Sequence, residues 1–447
     1  MADDSVLKDE SVELLQQLIR NQCVNDGRPE SGNEDRSADL LAHVLEGAGL
    51  DVARYTSAPG RTSVVARVEG SDPTAPKVCL MGHTDVVPVN PAGWSEDPFG
   101  GELIGDEVWG RGAIDMLNLT ATMAVSFRHL ARSGFQPKGD LIFFGVADEE
   151  NGGRYGARWM VENHWDAIAC DYVLTESGGT TAGHVDGRRR VGMVVGEKGI
   201  AWRKLRVSGT PAHGSMPWQS DNAVVKAAEV VRRVASYQPA AQINDVWRSM
   251  VAAMSLDEPV REQLLDAGRI RDALANLPHN VAKHAHACTH TTFSPNVMHG
   301  GNKTNIIPDS VEIEVDIRTV PGTTADDVNR HLLDALGDMA AEVEISPLHN
   351  DVASSSSIDN PMWECLQRQV HAVDPNADIF PTLLVGGTDA RFFRQKGAVG
   401  FGAGLFSPGL TMKEFGSRFH GHDERIDVGS LGLTAGLWVG VARDLLG

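Results

Sequence analysis

Apolar residues in the first part of the chain recur with two different periods. "SVELLQQLIRNQ" and "SADLLAHVLEGAG" space theirs three and four apart, which predicts two amphipathic helices, the second stopping near Gly47 and Gly49. "RTSVVARVEG" predicts a strand. "KVCLMGH", "GDLIFFGVADEE" and "CDYVLTES" carry unbroken apolar runs that end in polar residues, as parallel strands buried on both faces do. "NLTATMAVSFRHLARSG", closed by Gly134, and "RYGARWMVENHW" predict helices between them. Strand, helix, strand, helix, strand predicts an α/β layer with a largely parallel sheet.

Near residue 197 the pattern changes. "GIAWRKLRVSG" and "SVEIEVDIRTV" alternate polar and apolar positions, as half-exposed strands do. "NAVVKAAEVVRRVAS" and "ADDVNRHLLDALGDMAAE" predict amphipathic helices, and "VEISPLH" a further strand. Such a set forms one sheet covered by helices on one side. It predicts a second, α+β domain over residues 197–354, inserted in the first, with an extra helical insertion at about 238–290. The linker-like "NDVASSSSIDN" marks the return. The α/β pattern then resumes over 355–447, so that 1–196 and 355–447 are two parts of one catalytic domain.

Composition narrows the partners. Forty Lys and Arg against 60 Asp and Glu give the 447-residue chain a net charge of −20. That excess argues against nucleic acid and against anionic membranes, both of which need a positive surface. The start "MADDSVLKDESVELL" lacks the basic-then-apolar layout of a signal peptide, which points to the cytoplasm. Five scattered cysteines show no metal or disulfide spacing and read as reduced thiols.

The chemistry gathers at strand ends. In open parallel sheets ligands bind beyond the carboxyl ends of the strands. Here those ends offer His83 and Asp85, then Glu149 and Glu150, then Glu176, and "GRGAIDM" adds Asp115 just before a long helix. Converging carboxylates repel one another unless cations lie among them. Imidazole with carboxylate suits zinc, with Mn²⁺ or Co²⁺ as substitutes.

These stretches, "MGHTDVVPV", "WGRGAIDM", "DEENGG", "TES" and "FHGHDERI", resemble in order the metal-site motifs of the M20 metallopeptidases, a family that includes desuccinylases, acetylornithine deacetylase, aminoacylase, dipeptidases and glutamate carboxypeptidase. The resemblance implies a dizinc exopeptidase-type catalytic domain with a ferredoxin-like lid or dimerisation domain. It implies that His83 and Glu176 hold one Zn²⁺, Glu150 and His420 the other, and that Asp115 bridges both. His420 is preferred to His422 because it lies four residues before Glu424. Asp85 would orient the His83 ring by accepting its hydrogen bond, and Glu149 would be the general base. The peptide after the bridging aspartate, Asp115–Met116, is expected to be cis. Leu117 stands where most relatives have lysine. In the inserted domain, His213 in "GTPAHGSMP" would stabilise an oxyanion, often from a partner subunit. Asn305 and Arg318 would hold the substrate backbone or carboxylate, and Gly386, Gly387 and Thr388 would line its pocket.

The expected activity is hydrolysis of an amide near a free carboxylate. A dipeptidase or carboxypeptidase comes first and an N-acyl amino acid deacylase second, acting on a small peptide or N-acyl amino acid as a homodimer. A catalytically inactive, metal-stabilised binding protein is a remote third reading, opposed by the retention of Glu149. The run "HAHACTH" at 284–290 is read as a plain polar strand rather than a third metal site.

Overall fold

The computed structural model describes residues 2–447. They form two compact units. The first comprises the chain up to Val195 with Ser356–Thr382 and Thr388–Gly447; the second comprises Gly196–Ser355 with Leu383–Gly387.

The sheet of the first unit is mixed rather than largely parallel. Its strands run in the order Val52–Ala58, Arg61–Val68, Leu141–Val146, Val78–His83, Tyr172–Thr175, Val399–Gly402 and Arg188–Glu197. The four from Leu141–Val146 to Val399–Gly402 are mutually parallel. The flanking pairs are antiparallel. The parallel centre coincides with the unbroken apolar runs, because those strands are covered on both faces. The sequence reading missed Val52–Ala58, Arg188–Glu197 and Ala377–Leu384. The first carries mostly polar or small side chains and the second opens with three arginines, so neither stands out as apolar.

On one side of this sheet Met81, Phe144, Val146, Val173 and Phe393 form a core. The helices Ala2–Arg20, Leu117–Arg132 and Val428–Leu446 pack on one another. The middle one is buried along almost its whole length, and Trp438 Nε1 donates to Thr122 Oγ1 at 3.1 Å. This fixes the start of Leu117–Arg132, two residues after Asp115.

The second unit holds an antiparallel sheet in the order Val343–Pro347, Arg203–Ser208, Ser310–Thr319, Thr292–Gly300. Gly199–Ile200 continues the Arg203–Ser208 strand in the same register. Along Ser310–Thr319 burial alternates: Val311, Ile313, Val315 and Ile317 enter the core, where they meet Val230 and Val234 of Ala223–Ser236 and Leu332 and Leu336 of Ala325–Leu336. Residues 245–289 form four short helices, Asp245–Ala252, Glu258–Leu264, Ile270–Ala275 and His279–Thr289.

The last of these corrects the reading of "HAHACTH". The segment is a helix, not a strand, up to Thr289. Its histidines alternate, but the alanines between them favour helix. The contacts are four residues apart: His284 Nε2 lies 3.5 Å from Cys288 Sγ, and the His286 and His290 rings stack at 4.1 Å. The five cysteines are all free. Among the described residues, no helix is long and apolar enough to cross a membrane.

Candidate metal centre and catalytic site

Two groups of donors converge in the first unit: His83, Asp115 and Glu176, and Asp115, Glu150 and His420. In each group one donor atom per residue lies within 4.8 Å of the others, and Asp115 belongs to both. Its Oδ1 lies 3.2 Å from His83 Nε2 and its Oδ2 2.9 Å from His420 Nε2, one oxygen toward each side. His420 Nε2 is also 3.3 Å from Glu150 Oε2. His422 is exposed and in neither group. The Asp115–Met116 peptide is cis.

The geometry corrects the part given to Asp85. His83 Nδ1 donates to the main-chain carbonyl of Asp85 at 2.9 Å, while the nearest carboxylate oxygen is 3.6 Å away. The tautomer is thereby fixed, leaving Nε2 as the free lone pair. The Asp85 carboxylate instead accepts from the backbone amides of Glu149 and Glu150, each at 3.1 Å, and from Asn25 Nδ2 at 2.8 Å. It holds the turn that carries both glutamates.

That turn explains three adjacent acids. Asp148 is buried with φ +66°, and its side chain turns away from the cluster to accept from the Tyr155 amide at 2.8 Å and Asn25 Nδ2 at 3.0 Å. Gly152 and Gly153 follow at φ +87° and +70°, where a side chain is strained. A Cβ on Gly153 would also lie 2.4 Å from Asp389 Oδ1. Beneath the turn Arg61 is buried. Its Nη1 donates to Glu34 Oε1 at 2.6 Å, and its Nη2 to Asn25 Oδ1 at 3.2 Å. Burial, with Asp85 nearby, pushes Glu34 up to about 8.

A second support sits behind Asp115. Glu424 is fully buried, and its Oε1 accepts from the amides of Gly112, Ile114 and Asp115 at 3.1, 2.7 and 3.0 Å. Its Oε2 meets Arg111 Nη1 at 2.6 Å. Leu117 is buried beside Gly112, whose φ of +91° and crowded Cβ position leave that side chain its space. An apolar residue at 117 is therefore part of the packing.

The electrostatics show uncompensated negative charge. Burial raises Glu149 and Glu176 well above the carboxylate range, and each lies among further acids that raise it more. Burial and Asp115 push Glu150 up to about 7. Glu150 Oε1 is buried and has no hydrogen-bond partner among the described residues. Asp389, which the sequence reading passed over although it follows Thr388, is buried with neither oxygen partnered among the described residues, and its charge acts on Glu149. Nearby Arg391 donates to the carbonyls of Thr388 at 2.6 Å and Gly152 at 3.0 Å. Two histidines and three carboxylates arranged in this way fit a pair of divalent cations.

The remaining predicted residues are divided between the units. Thr388 is buried in the first, while Gly386 and Gly387 fall in the second. Also in the second, Ala212 and His213 pair with Ile307 and Ile306, and the Gly214 amide donates to the Asn305 carbonyl at 2.8 Å. This zips the His213 and Asn305 loops together. His213 Nδ1 accepts from the Ser215 amide at 3.2 Å, which places the proton on Nε2. Arg318 donates through Nε to Asp316 at 2.8 Å and lies over the Trp202 ring.

Comparison with known proteins agrees with this geometry. Residues 79–444 match peptidase family M20/M25/M40. The chain is 27% identical over 390 residues to the N-fatty-acyl-amino acid synthase/hydrolase PM20D1 of Xenopus tropicalis, covering 86% of this chain and 75% of that one. It is 25% identical over 424 residues to human aminoacylase-1, covering 93% and 90%. The fold is similar to that of the M20 family metallo-carboxypeptidase Sso-CP2 of Sulfolobus solfataricus, with a TM-score of 0.72 and 18% identity over 98% of this chain and 99% of that one.

Proposed function

Because the chain belongs to peptidase family M20/M25/M40, we propose that it releases a free amino acid by hydrolysing the amide bond to its nitrogen. The enzyme is a metal-dependent hydrolase. The observation that carries the reading is the pair of donor groups sharing Asp115, with Glu149 beside them and in neither. His83, Asp115 and Glu176 would hold one Zn²⁺, and Asp115, Glu150 and His420 the other. When bound, such a pair supplies Lewis acidity toward water and a carbonyl oxygen.

The protein's own groups do the rest. Glu149 takes a proton from the attacking water and delivers it to the departing amine nitrogen. Burial raises it, which suits a group that first accepts a proton and then returns it. The Asp85 carboxylate, bonded to the Glu149 amide, keeps that base in place. His213 presents Nε2–H to the oxyanion of the tetrahedral intermediate. Arg318, whose terminal nitrogens are not taken up by Asp316, grips the substrate carboxylate, and Asn305 with Gly386, Gly387 and Thr388 holds its backbone. The second unit, with its strand–helix–strand–strand–helix–strand order, acts as a ferredoxin-like lid and as the surface of a homodimer.

The acyl group is the open variable. Among relatives at 25–27% identity, the N-fatty-acyl-amino acid synthase/hydrolase PM20D1 and aminoacylase-1 favour an N-acyl amino acid, while the probable carboxypeptidase S-like 2 of Dictyostelium discoideum, at 26%, favours a peptide. The four-helix insertion over residues 245–289 favours a second reading, a dipeptidase or carboxypeptidase in which the acyl group is itself peptidyl. Assays of the zinc-loaded protein on N-acyl amino acids, dipeptides and their C-terminal amides decide between them. Turnover of the free acids with loss on the amides supports the proposal; equal turnover of both, or of neither, contradicts it.

A further inference from the structure

We propose a second ligand site, in the second unit, for a small organic carboxylate with an apolar portion. A cavity of about 560 Å³ lies where the end of Ala223–Ser236, the helices Ile270–Ala275 and His279–Thr289, and the start of Thr292–Gly300 meet. None of its residues is a metal donor or a residue given a part in hydrolysis above.

Its charge is the reverse of the chain's. In a protein of net charge −20, the cavity is lined by Arg271, Lys283, His279 and His286 and by no Asp or Glu. Among the described residues, neither Arg271 nor Lys283 has a carboxylate ion-pair partner. Arg271 is instead oriented by neutral acceptors, with Nη2 donating to the Pro239 carbonyl at 2.9 Å and Nη1 to the Gln238 side chain. The positive field is felt locally: burial, Lys198 and Arg271 together hold His286 below its usual range. Thr291 also lines the cavity. It is 1% exposed, and among the described residues its buried hydroxyl has no partner, although buried polar groups are as a rule hydrogen-bonded.

An oriented guanidinium, an ammonium and an unpartnered hydroxyl form a donor set for an anion. The apolar part of the lining decides the rest of the ligand. Tyr237 and Phe293 meet edge to face at 5.6 Å, beside Leu274, and offer an apolar surface to the remainder of the molecule. A bare inorganic anion would leave that surface unused.

The test is calorimetric titration of the full chain with phenylacetate at constant ionic strength, alongside phenylacetamide and inorganic phosphate. The expected result is one saturable phenylacetate site per chain, no comparable binding of the amide or of phosphate, and weakening of at least about tenfold in Lys283→Gln and in Arg271→Gln, the loss of roughly one charged hydrogen bond. Lys283 is exposed, so its replacement leaves the fold intact. The Asp115→Ala variant, altered only at the metal centre, is expected to keep this site. Absence of saturable binding, equal binding of the amide or of phosphate, or full affinity in both cavity variants would overturn the proposal. So would loss of binding in Asp115→Ala, which would place phenylacetate at the metal centre.

Discussion

Asp148, Glu149 and Glu150 are chain neighbours whose side chains face three different environments. Asp148 turns to the Tyr155 amide and Asn25, Glu150 turns to His420, and Glu149 stays beside the donors without joining either group. The left-handed Asp148 and the two glycines after the turn make that divergence possible. Glu149→Gln is expected to keep the fold and the metal content and to lower kcat by about 10²–10⁴-fold, the usual worth of a positioned proton-transfer group. Steady-state kinetics with elemental analysis of the same sample checks both halves. Glu424 belongs to a different kind of residue, one that acts through the backbone of Asp115. Glu424→Gln leaves Arg111 charged and buried without its partner, and is expected to cost about 3–5 kcal/mol. Urea unfolding of the variant measures it; an unchanged midpoint would remove Glu424 from the supporting structure. The donors at strand ends were legible because an apolar run ending in His, Asp or Glu is a local pattern. Asn25, Glu34 and Arg61 were not. Each meets the turn across dozens of residues of chain, and nothing in their own surroundings in the sequence signals a buried partner.

The same contrast between local and distant signals governs the elements. Strands buried on both faces announced themselves, while Arg188–Glu197 did not, because two of its three opening arginines, Arg188 and Arg190, pair with an acid far along the chain. Arg188 donates to both oxygens of Asp378 at 2.7 Å, and Arg190 and His371 reach the same carboxylate. The hydrogen bonds from Arg188 chiefly hold Asp378 down to about 2. A carboxylate depressed in the folded state stabilises the fold above its unfolded value, near 4, and that stabilisation is lost as pH falls toward 2. Asp378→Asn is therefore expected to flatten the loss of stability between pH 4 and 2, read by denaturant midpoints across that window; an unaltered pH profile would show the pairing to be without consequence. The helix His279–Thr289 teaches the opposite lesson. Alternating histidines suggested period two, yet the buried positions Ala285, Cys288 and Thr289 follow helical spacing, and the alanines decided the outcome.

At the scale of the whole molecule, the second compact unit, Gly196–Ser355 with Leu383–Gly387, begins where the hydrophobic period changes, whereas the mixed character of the sheet depended on strands too polar to detect. The proposed homodimer has a surface consequence. The loop after His213 exposes Trp218 at 85% and Met216 at 69%, apolar side chains that a partner subunit would cover. Trp218→Glu is expected to convert the dimer to monomer in sedimentation velocity; a wild-type chain that sediments as a monomer would contradict the dimer itself. The account as a whole stands on the paired donor groups. Elemental analysis of the purified protein and of Asp115→Ala, after exhaustive dialysis, tests that most directly. The expected result is about two divalent ions per wild-type chain, as two complete donor sets require, and fewer than one in the variant, since the shared carboxylate serves both. A metal-free wild-type protein that still hydrolyses its substrate at full rate would contradict it.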